Sequence, residues 1–364
     1  MERIEKKYWL LPFALLYGIG VRFRNQLFDW GILRTEQYDV PVISVGNITV
    51  GGTGKTPHIE FLIRLFVEKK YRVAVLSRGY KRKTKGFLLA GSDSSSADIG
   101  DEPYQLKQKF PEVTVAVDAD RRNGISQLLA LEEKLRPNVI LLDDAFQHRY
   151  VTPSLSILLT DIHYPYYEDA LLPVGRLREP ASGVRRADIV IITKCSGEMQ
   201  PIDYRIVMGN VKLCPYQRLF FSNIGYGELY PLFPEVAEAR SLSELKSDED
   251  VLLMAGIASP ELFVEKIKSH SSKVFPALFA DHYNYRPADI NRLDSILKKM
   301  ESPSKLIITT EKDAARLKNA TFLPDAWKKL LYALPITVNF QLNKEDDFKE
   351  MLIKHVVTVL NNKI

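Results

Sequence analysis

The chain has 364 residues, 46% hydrophobic and 26% charged, with a formal net charge of +5 at pH 7. That length exceeds one ordinary core and predicts two domains; the balance excludes a mainly disordered chain and leaves no overall field for capturing nucleic acid. Cys195 and Cys214 are isolated, which excludes a disulfide framework, suits a reducing cytosol and predicts two buried free thiols.

In chain order, residues 8–21 read YWLLPFALLYGIGV, flanked by Arg3, Lys6 and Lys7 before and by Arg22 and Arg24 after. A bilayer span needs about 20 apolar residues, and Pro12 and Gly18 interrupt this run. No small-residue cleavage site follows it. The pattern predicts an interfacial helix with Trp9, Phe13 and Tyr17 at headgroup depth; packing on the protein's own core is the other reading. Residues 42–45 form a buried strand, and Ile59, Leu62, Ile63 and Phe66 recur at helical spacing. Between them lies Thr49-Val50-Gly51-Gly52-Thr53-Gly54-Lys55-Thr56, the strand, Gly-rich loop and helix order of a phosphate loop. The glycines let backbone N–H groups approach phosphate, Lys55 can reach the β- and γ-phosphates, and the Thr56 hydroxyl can ligate Mg²⁺. Thr49 stands where the usual pattern has glycine.

Strands follow at 73–76, 113–117, 139–143, 155–159 and 189–192, with helices near 103–109 and over 121–134. The loop after the second strand is basic, with Arg78, Lys81, Arg82, Lys83 and Lys85. A strand at 218–222 and a Gly- and Pro-containing linker precede a second set of elements: strands at 251–256, 274–276 and 306–310, and a helix start at Ser259-Pro260-Glu261. A strand at 336–340 returns, and a helix over 346–360 ends the chain. The expected fold is α/β and P-loop NTPase-like, a mostly parallel sheet sandwiched by helices, with a second, smaller α/β domain joined by a β-strand linker. The expected divisions are 1–25 for the interfacial helix, 26–216 for the phosphate-loop domain, 217–234 for the linker, 235–333 for the smaller domain and 334–364 for the return strand and last helix.

Asp143 and Asp144 end an apolar strand, the arrangement of a Walker B acid that holds Mg²⁺. Gly100-Asp101-Glu102-Pro103 opens a helix; the acids either offset the helix dipole, or one of them accepts the proton of an attacking hydroxyl. Arg176 and Arg178 share a loop and either clamp an anion or lie solvated. His282 stands in a polar, aromatic segment, where a lone histidine is more often structural. Ser196 occupies the position at which GTPases read guanine with Asp, which favours ATP.

Taken together, TVGGTGKTP at 49–57, SRGY at 77–80, GDEP at 100–103, LLDDAFQHR at 141–149, GRLREP at 175–180, DHY at 281–283 and TTEKDAARL at 309–317 resemble the tetraacyldisaccharide 4'-kinase (lipid A 4'-kinase) family from about residue 10 to the terminal region. Thr49 belongs to that family's own variant of the loop. The resemblance implies transfer of the γ-phosphate of ATP to the 4'-hydroxyl of an acylated disaccharide 1-phosphate, with Mg²⁺, by a peripheral or monotopic protein at the cytoplasmic face of a Gram-negative inner membrane. It implies no nucleic acid and no obligate protein partner. By motif it gives Lys55 and Thr56 to phosphate and Mg²⁺, Asp143 and Asp144 to the Walker B region, Asp101 to base, His282 to a pairing with Asp101, Arg178 before Arg176 to phosphate, and Glu102 to metal support. A membrane-associated regulatory ATPase is the rival reading, but that class has Lys just before the Gly-Gly, where this chain has Val50.

Overall fold

The computed structural model describes residues 6–246, 248–257, 260–281, 283–318 and 320–362, and every statement below concerns those residues. The chain divides into two compact units, one of residues 1–224 with 338–364 and one of residues 225–337.

The first unit is organised by apolar runs too uniform to leave a face wet. Strands β1 (Val42–Gly46), β2 (Val73–Ser77), β5 (Val139–Asp143), β6 (Leu155–Asp161) and β7 (Ile189–Thr193) are buried along their whole lengths. Such strands need cover on both sides, which is the habit of parallel sheets. With β3 (Leu88–Leu89), β4 (Thr114–Val117), β8 (Arg218–Tyr226) and β14 (Ile336–Phe340) they order as β14-β8-β7-β6-β1-β5-β2-β4-β3. Between β8 and β4 every pairing is parallel, and only β3 is shown to run antiparallel to its neighbour. β1 lies between β5 and β6, so the loop leaving it opens where the order reverses.

Helix α2 (Lys55–Glu68) buries Ile59, Leu62, Ile63 and Phe66, the spacing read from the sequence. Helices α3 (Ser96–Ile99) and α4 (Asp101–Lys109) follow the basic loop. Helix α5 (Arg121–Leu129) is shorter than the expected 121–134. After Ile125 and Leu128 are buried, residues 131–136 turn through Leu135 and Arg136 N–H bonds to the Glu132 carbonyl, and Pro137 bars the residue before it from helical backbone. The strand expected from 113 starts at Thr114. Cys195 is buried as expected, whereas Cys214, in the turn before β8, is only half-buried. Helix α6 (Pro201–Val211) lies between β7 and β8 in the chain, and α11 (Glu345–Asn361) closes the unit by stacking Phe348 on Phe340 at 4.4 Å between centroids.

Helix α1 (Leu11–Asp29) extends past the apolar run that predicted it. It buries Ala14, Gly18 and Phe28 and exposes Leu11, Phe13, Leu15, Leu16, Ile19 and Phe23. No helix is long and apolar enough to cross a membrane.

The second unit is built on β9 (Tyr230–Pro231), β10 (Asp250–Ala255), β11 (Lys273–Leu278), β12 (Lys305–Thr310) and β13 (Leu331–Leu334), in the order β11-β10-β12-β13-β9. Alternate residues serve opposite faces. Leu252, Met254 and Ile307 join Ile290, Leu293 and Leu297 of α8 (Pro287–Lys299) in one cluster. Val251, Leu253 and Ile308 join Phe263 and Ile267 of α7 (Glu261–Lys268) in the other. Of the expected helix start, Ser259 lies outside the described residues and α7 begins at Glu261. Helices α9 (Glu311–Leu317) and α10 (Asp325–Lys328) complete the unit. A parallel sheet with helices on both faces, carrying a phosphate loop at its reversal point, makes the fold α/β and P-loop NTPase-like, with a second α/β unit.

Candidate functional site

The site grows from the carboxyl end of β1. Asn47 is fully buried and its amide donates to Thr53 Oγ1 at 2.8 Å, bending the loop between them back on itself. The Thr193 hydroxyl, at the end of β7, donates to the Thr53 carbonyl at 3.0 Å. Gly54 has φ +85°, left-handed backbone that glycine adopts without strain, and it caps α2 so that Lys55 is the first helical residue. His58 bonds the Gly54 carbonyl through Nδ1 at 2.7 Å and Ser222 Oγ through Nε2 at 3.1 Å. A carbonyl only accepts, so Nδ1 carries the proton and Nε2 accepts from the serine. Burial pulls this imidazole down to about 4, keeping it neutral.

The first half of the loop is pinned by the arginine segment. Val50 N–H donates to the Arg176 carbonyl at 2.8 Å, Arg178 N–H donates to the Ile48 carbonyl at 2.7 Å, and Thr49 bridges Leu177 antiparallel. Gly175 is required there by close approach: a Cβ would meet Asp169 Oδ1 at 2.3 Å and the Ala170 carbonyl oxygen at 2.5 Å.

This pairing sends the two arginines to different places. Arg178 donates to both Asp144 oxygens, at 3.0 and 2.8 Å, and to the backbone and side-chain oxygens of Asn47. Arg176 lies over the Tyr164 ring, 3.7 Å from its centroid, and faces a cleft lined by residues 49–53 with Asp161, Tyr164 and Asp169. Asp161 is paired with Lys194 at 2.8 Å.

Their surroundings shift Asp143 and Asp144 in opposite directions. Asp144 has φ +45°, and that left-handed turn directs it to Arg178 and to Lys55, whose Nζ is 3.7 Å away. Burial works to raise its carboxyl, but the Arg178 bonds and the Lys55 charge hold it below the usual range. Asp143 is buried, accepts from Ser77 Oγ at 3.0 Å through Oδ2, and has no hydrogen-bond partner for Oδ1. Burial, then the charges of Glu102 and Asp144, push its carboxyl up despite Lys55 and Ser77. Arg121, buried at the start of α5, donates to the Asp143 carbonyl at 3.2 Å and the Asp118 carbonyl at 2.8 Å.

Asp101 and Glu102 are half-buried at the start of α4, and the field of Glu102 reaches Asp143. Their loop is locked to the SRGY loop by two glycines with positive φ. A Cβ on Gly100 would lie 3.0 Å from the Tyr80 carbonyl oxygen, and one on Gly79 would lie 3.0 Å from the Ile99 carbonyl oxygen. Lys55, Asp143, Asp144, Arg178 and the phosphate loop therefore share one strand-end region, with Glu102 in electrostatic reach. His282 lies outside the described residues.

Mg²⁺ fits this arrangement. No group of three or more His, Cys, Asp or Glu side chains forms a metal cage among the described residues. Mg²⁺ usually needs only one or two carboxylates beside substrate phosphates and water. The orphan Oδ1 of Asp143 supplies a buried acceptor of that kind.

Several participants were not read from the sequence. Asn47, His58 and Arg121 carry no motif of their own; Gln147, inside the quoted LLDDAFQHR run, donates to the Asn47 carbonyl at 2.7 Å and to Glu179 at 3.0 Å. Only its place three residues after the Asp pair could have flagged it.

Residues 6–357 match the family described as LpxK, tetraacyldisaccharide-1-P 4'-kinase. The tetraacyldisaccharide 4'-kinase of Parabacteroides distasonis is 58% identical over 353 residues, 97% of this chain and 95% of that protein. That of Bacteroides fragilis is 49% identical over 350 residues, 96% of this chain and 93% of that protein. Among solved structures, the "apo" form of LpxK from Aquifex aeolicus in complex with ATP matches with a TM-score of 0.71 and 31% identity, covering 95% of this chain and 98% of that one.

Proposed function

Because the chain belongs to the tetraacyldisaccharide-1-P 4'-kinase family, we propose that it transfers the γ-phosphoryl group of ATP to the 4'-hydroxyl of a tetraacylated disaccharide 1-phosphate. The observation that carries the reading is the phosphate loop at the sheet's reversal point, with Lys55 and Arg178 converging on Asp144 beside it.

Each part follows from its surroundings. The loop's glycines and the start of α2 cradle phosphate oxygens, and Lys55 exchanges part of its attraction to Asp144 for the γ-phosphate. Arg178, fixed by Asn47, is poised to contact the transferring phosphoryl group. Thr56 and Asp143 would hold Mg²⁺, with Glu102 and Asp144 in support; when bound, the ion neutralises charge on the phosphates. Asp101 accepts the 4'-hydroxyl proton as that oxygen bonds to the γ-phosphorus and the bond to the bridging oxygen of ADP breaks. His282 has a supporting part in that proton transfer on the strength of the DHY motif alone. The reaction needs positioning and charge neutralisation and forms no phosphoenzyme.

An acylated acceptor stays in a bilayer, and α1 offers exposed Leu11, Phe13, Leu15, Leu16, Ile19 and Phe23 beside Lys6, Lys7 and Arg22. This supports a peripheral position with α1 in the headgroup layer of the inner membrane's cytoplasmic face. The test supplies γ-labelled ATP, Mg²⁺ and the disaccharide 1-phosphate. Label is expected in the organic-extractable disaccharide; label released only as free phosphate would instead mark a regulatory ATPase.

A further inference from the structure

We infer that α1 is coupled to the phosphate loop through residues 174–178, with Tyr17 as the positioning residue, so that engagement of a lipid surface tightens nucleotide binding. The inference rests on the reading of α1 as a lipid-facing helix and of residues 49–56 as the nucleotide loop.

Residues 174–178 are shared between the two. On one edge they hold the loop through the Val50, Arg178 and Thr49 contacts already described. On the other they hold the helix: Tyr17 Oη donates to the Arg178 carbonyl at 2.6 Å, and the Lys7 N–H donates to the Val174 carbonyl at 3.1 Å. Close packing continues the attachment, since a Cβ on Gly18 would lie 2.8 Å from Leu171 Cδ1. Arg24 Nη2 reaches the Gln147 carbonyl at 3.1 Å, and Gln147 in turn donates to the Asn47 carbonyl. Both routes end on Asn47, whose amide holds Thr53 and whose oxygens hold Arg178.

The face of α1 opposite these contacts is apolar and exposed, so the helix has one side for lipid and one for the arginine segment. A rigid shift of α1 on binding lipid is therefore delivered to the Arg178 backbone. The Tyr17 hydroxyl is the link to test, because it joins α1 to the Arg178 backbone through a single side-chain oxygen.

The test measures affinity for a non-hydrolysable ATP analogue, with Mg²⁺, with and without vesicles of phosphatidylethanolamine and phosphatidylglycerol that contain no substrate. Vesicles are expected to tighten binding by the wild-type chain about fivefold, the scale of ordinary coupling between sites. Tyr17→Phe, which keeps the ring and deletes the hydroxyl, should float with vesicles like wild type, melt like wild type and lose that response. Phe13→Ser with Leu16→Ser should lose both flotation and response. A wild-type affinity indifferent to vesicles, or a Tyr17→Phe response equal to wild type, overturns the inference while leaving labelled-phosphate transfer intact. Transfer that fails while the vesicle response persists overturns the function and not the coupling.

Discussion

Each unit buries an aspartate at the carboxyl end of a parallel strand, and the two are treated in opposite ways. Asp313, beyond β12, is fully buried and accepts from the Gly256 N–H at 2.8 Å, the Thr310 hydroxyl at 2.7 Å and Arg316 at 3.1 Å. Asp143, ending β5, has one bond from Ser77, an orphan oxygen and a carboxyl driven upward by burial and neighbouring acids. A saturated acid stitches a loop to a helix cap and has nothing left to offer. An undersatisfied one costs stability and is retained where a ligand completes it. Of this pair, Asp143 and not Asp313 keeps a bonding position open to a ligand.

Four substitutions break or sharpen that contrast. The largest effect is expected in the first unit: Asp101→Ala should lower turnover by about two to four orders of magnitude while affinity for an ATP analogue, read by calorimetry, stays near wild type. Equal loss of nucleotide affinity would make Asp101 a structural or metal-holding group. Asp313→Ala should instead act on folding, costing about 3–5 kcal/mol in denaturant titration because it removes the buried ion pair with Arg316 and strands the Gly256 N–H and Thr310 hydroxyl that bond to it. Turnover per folded molecule should change far less, and a selective loss of turnover would erase the distinction between the two acids.

Arg178→Lys keeps the charge and removes the two-pronged contact to Asp144, so turnover should fall about tenfold with smaller change in stability. The smallest effect runs the other way. An acid held high in the folded state binds protons more tightly folded than unfolded, so the nucleotide-free protein loses stability as pH climbs from the ordinary carboxylate range through the raised pKa of Asp143. Asp143→Asn, which can still accept from Ser77, should flatten that decline and raise stability above it by on the order of 1 kcal/mol, while activity drops. Melting curves across the pH series check this, and a variant that melts lower at every pH would show that the orphan oxygen is not a cost.

Much of this architecture could be read from residues alone, for physical reasons. Fully buried parallel strands are uninterrupted apolar runs, so β1, β2, β5, β6 and β7 stood out, and the phosphate loop followed from glycines between a strand and an amphipathic helix. The two-residue strands β3 and β9 carry no period to detect, and β13 is a four-residue run after a turn. The charged residues of the candidate site stood out because Asp143 and Asp144 follow an uninterrupted apolar run and Lys55 follows a glycine-rich loop. Those that supply alignment did not: Asn47 and His58 matter for what they touch across the chain, and only folding brings Ser222 or Arg178 to them. The separation of Arg176 from Arg178 was likewise decided by pairing with residues 48–50, a contact that no local pattern encodes.

The abutting glycines Gly79 and Gly100 have a consequence for anyone grafting parts between homologues. Each stands in positive-φ backbone against the other loop's carbonyl, so the basic loop and the acidic helix start are one interchangeable cassette, although about twenty residues of chain separate them. A chimera that transplants the basic loop has to keep glycine at both 79 and 100, because a side chain at either position would crowd the other loop's carbonyl oxygen.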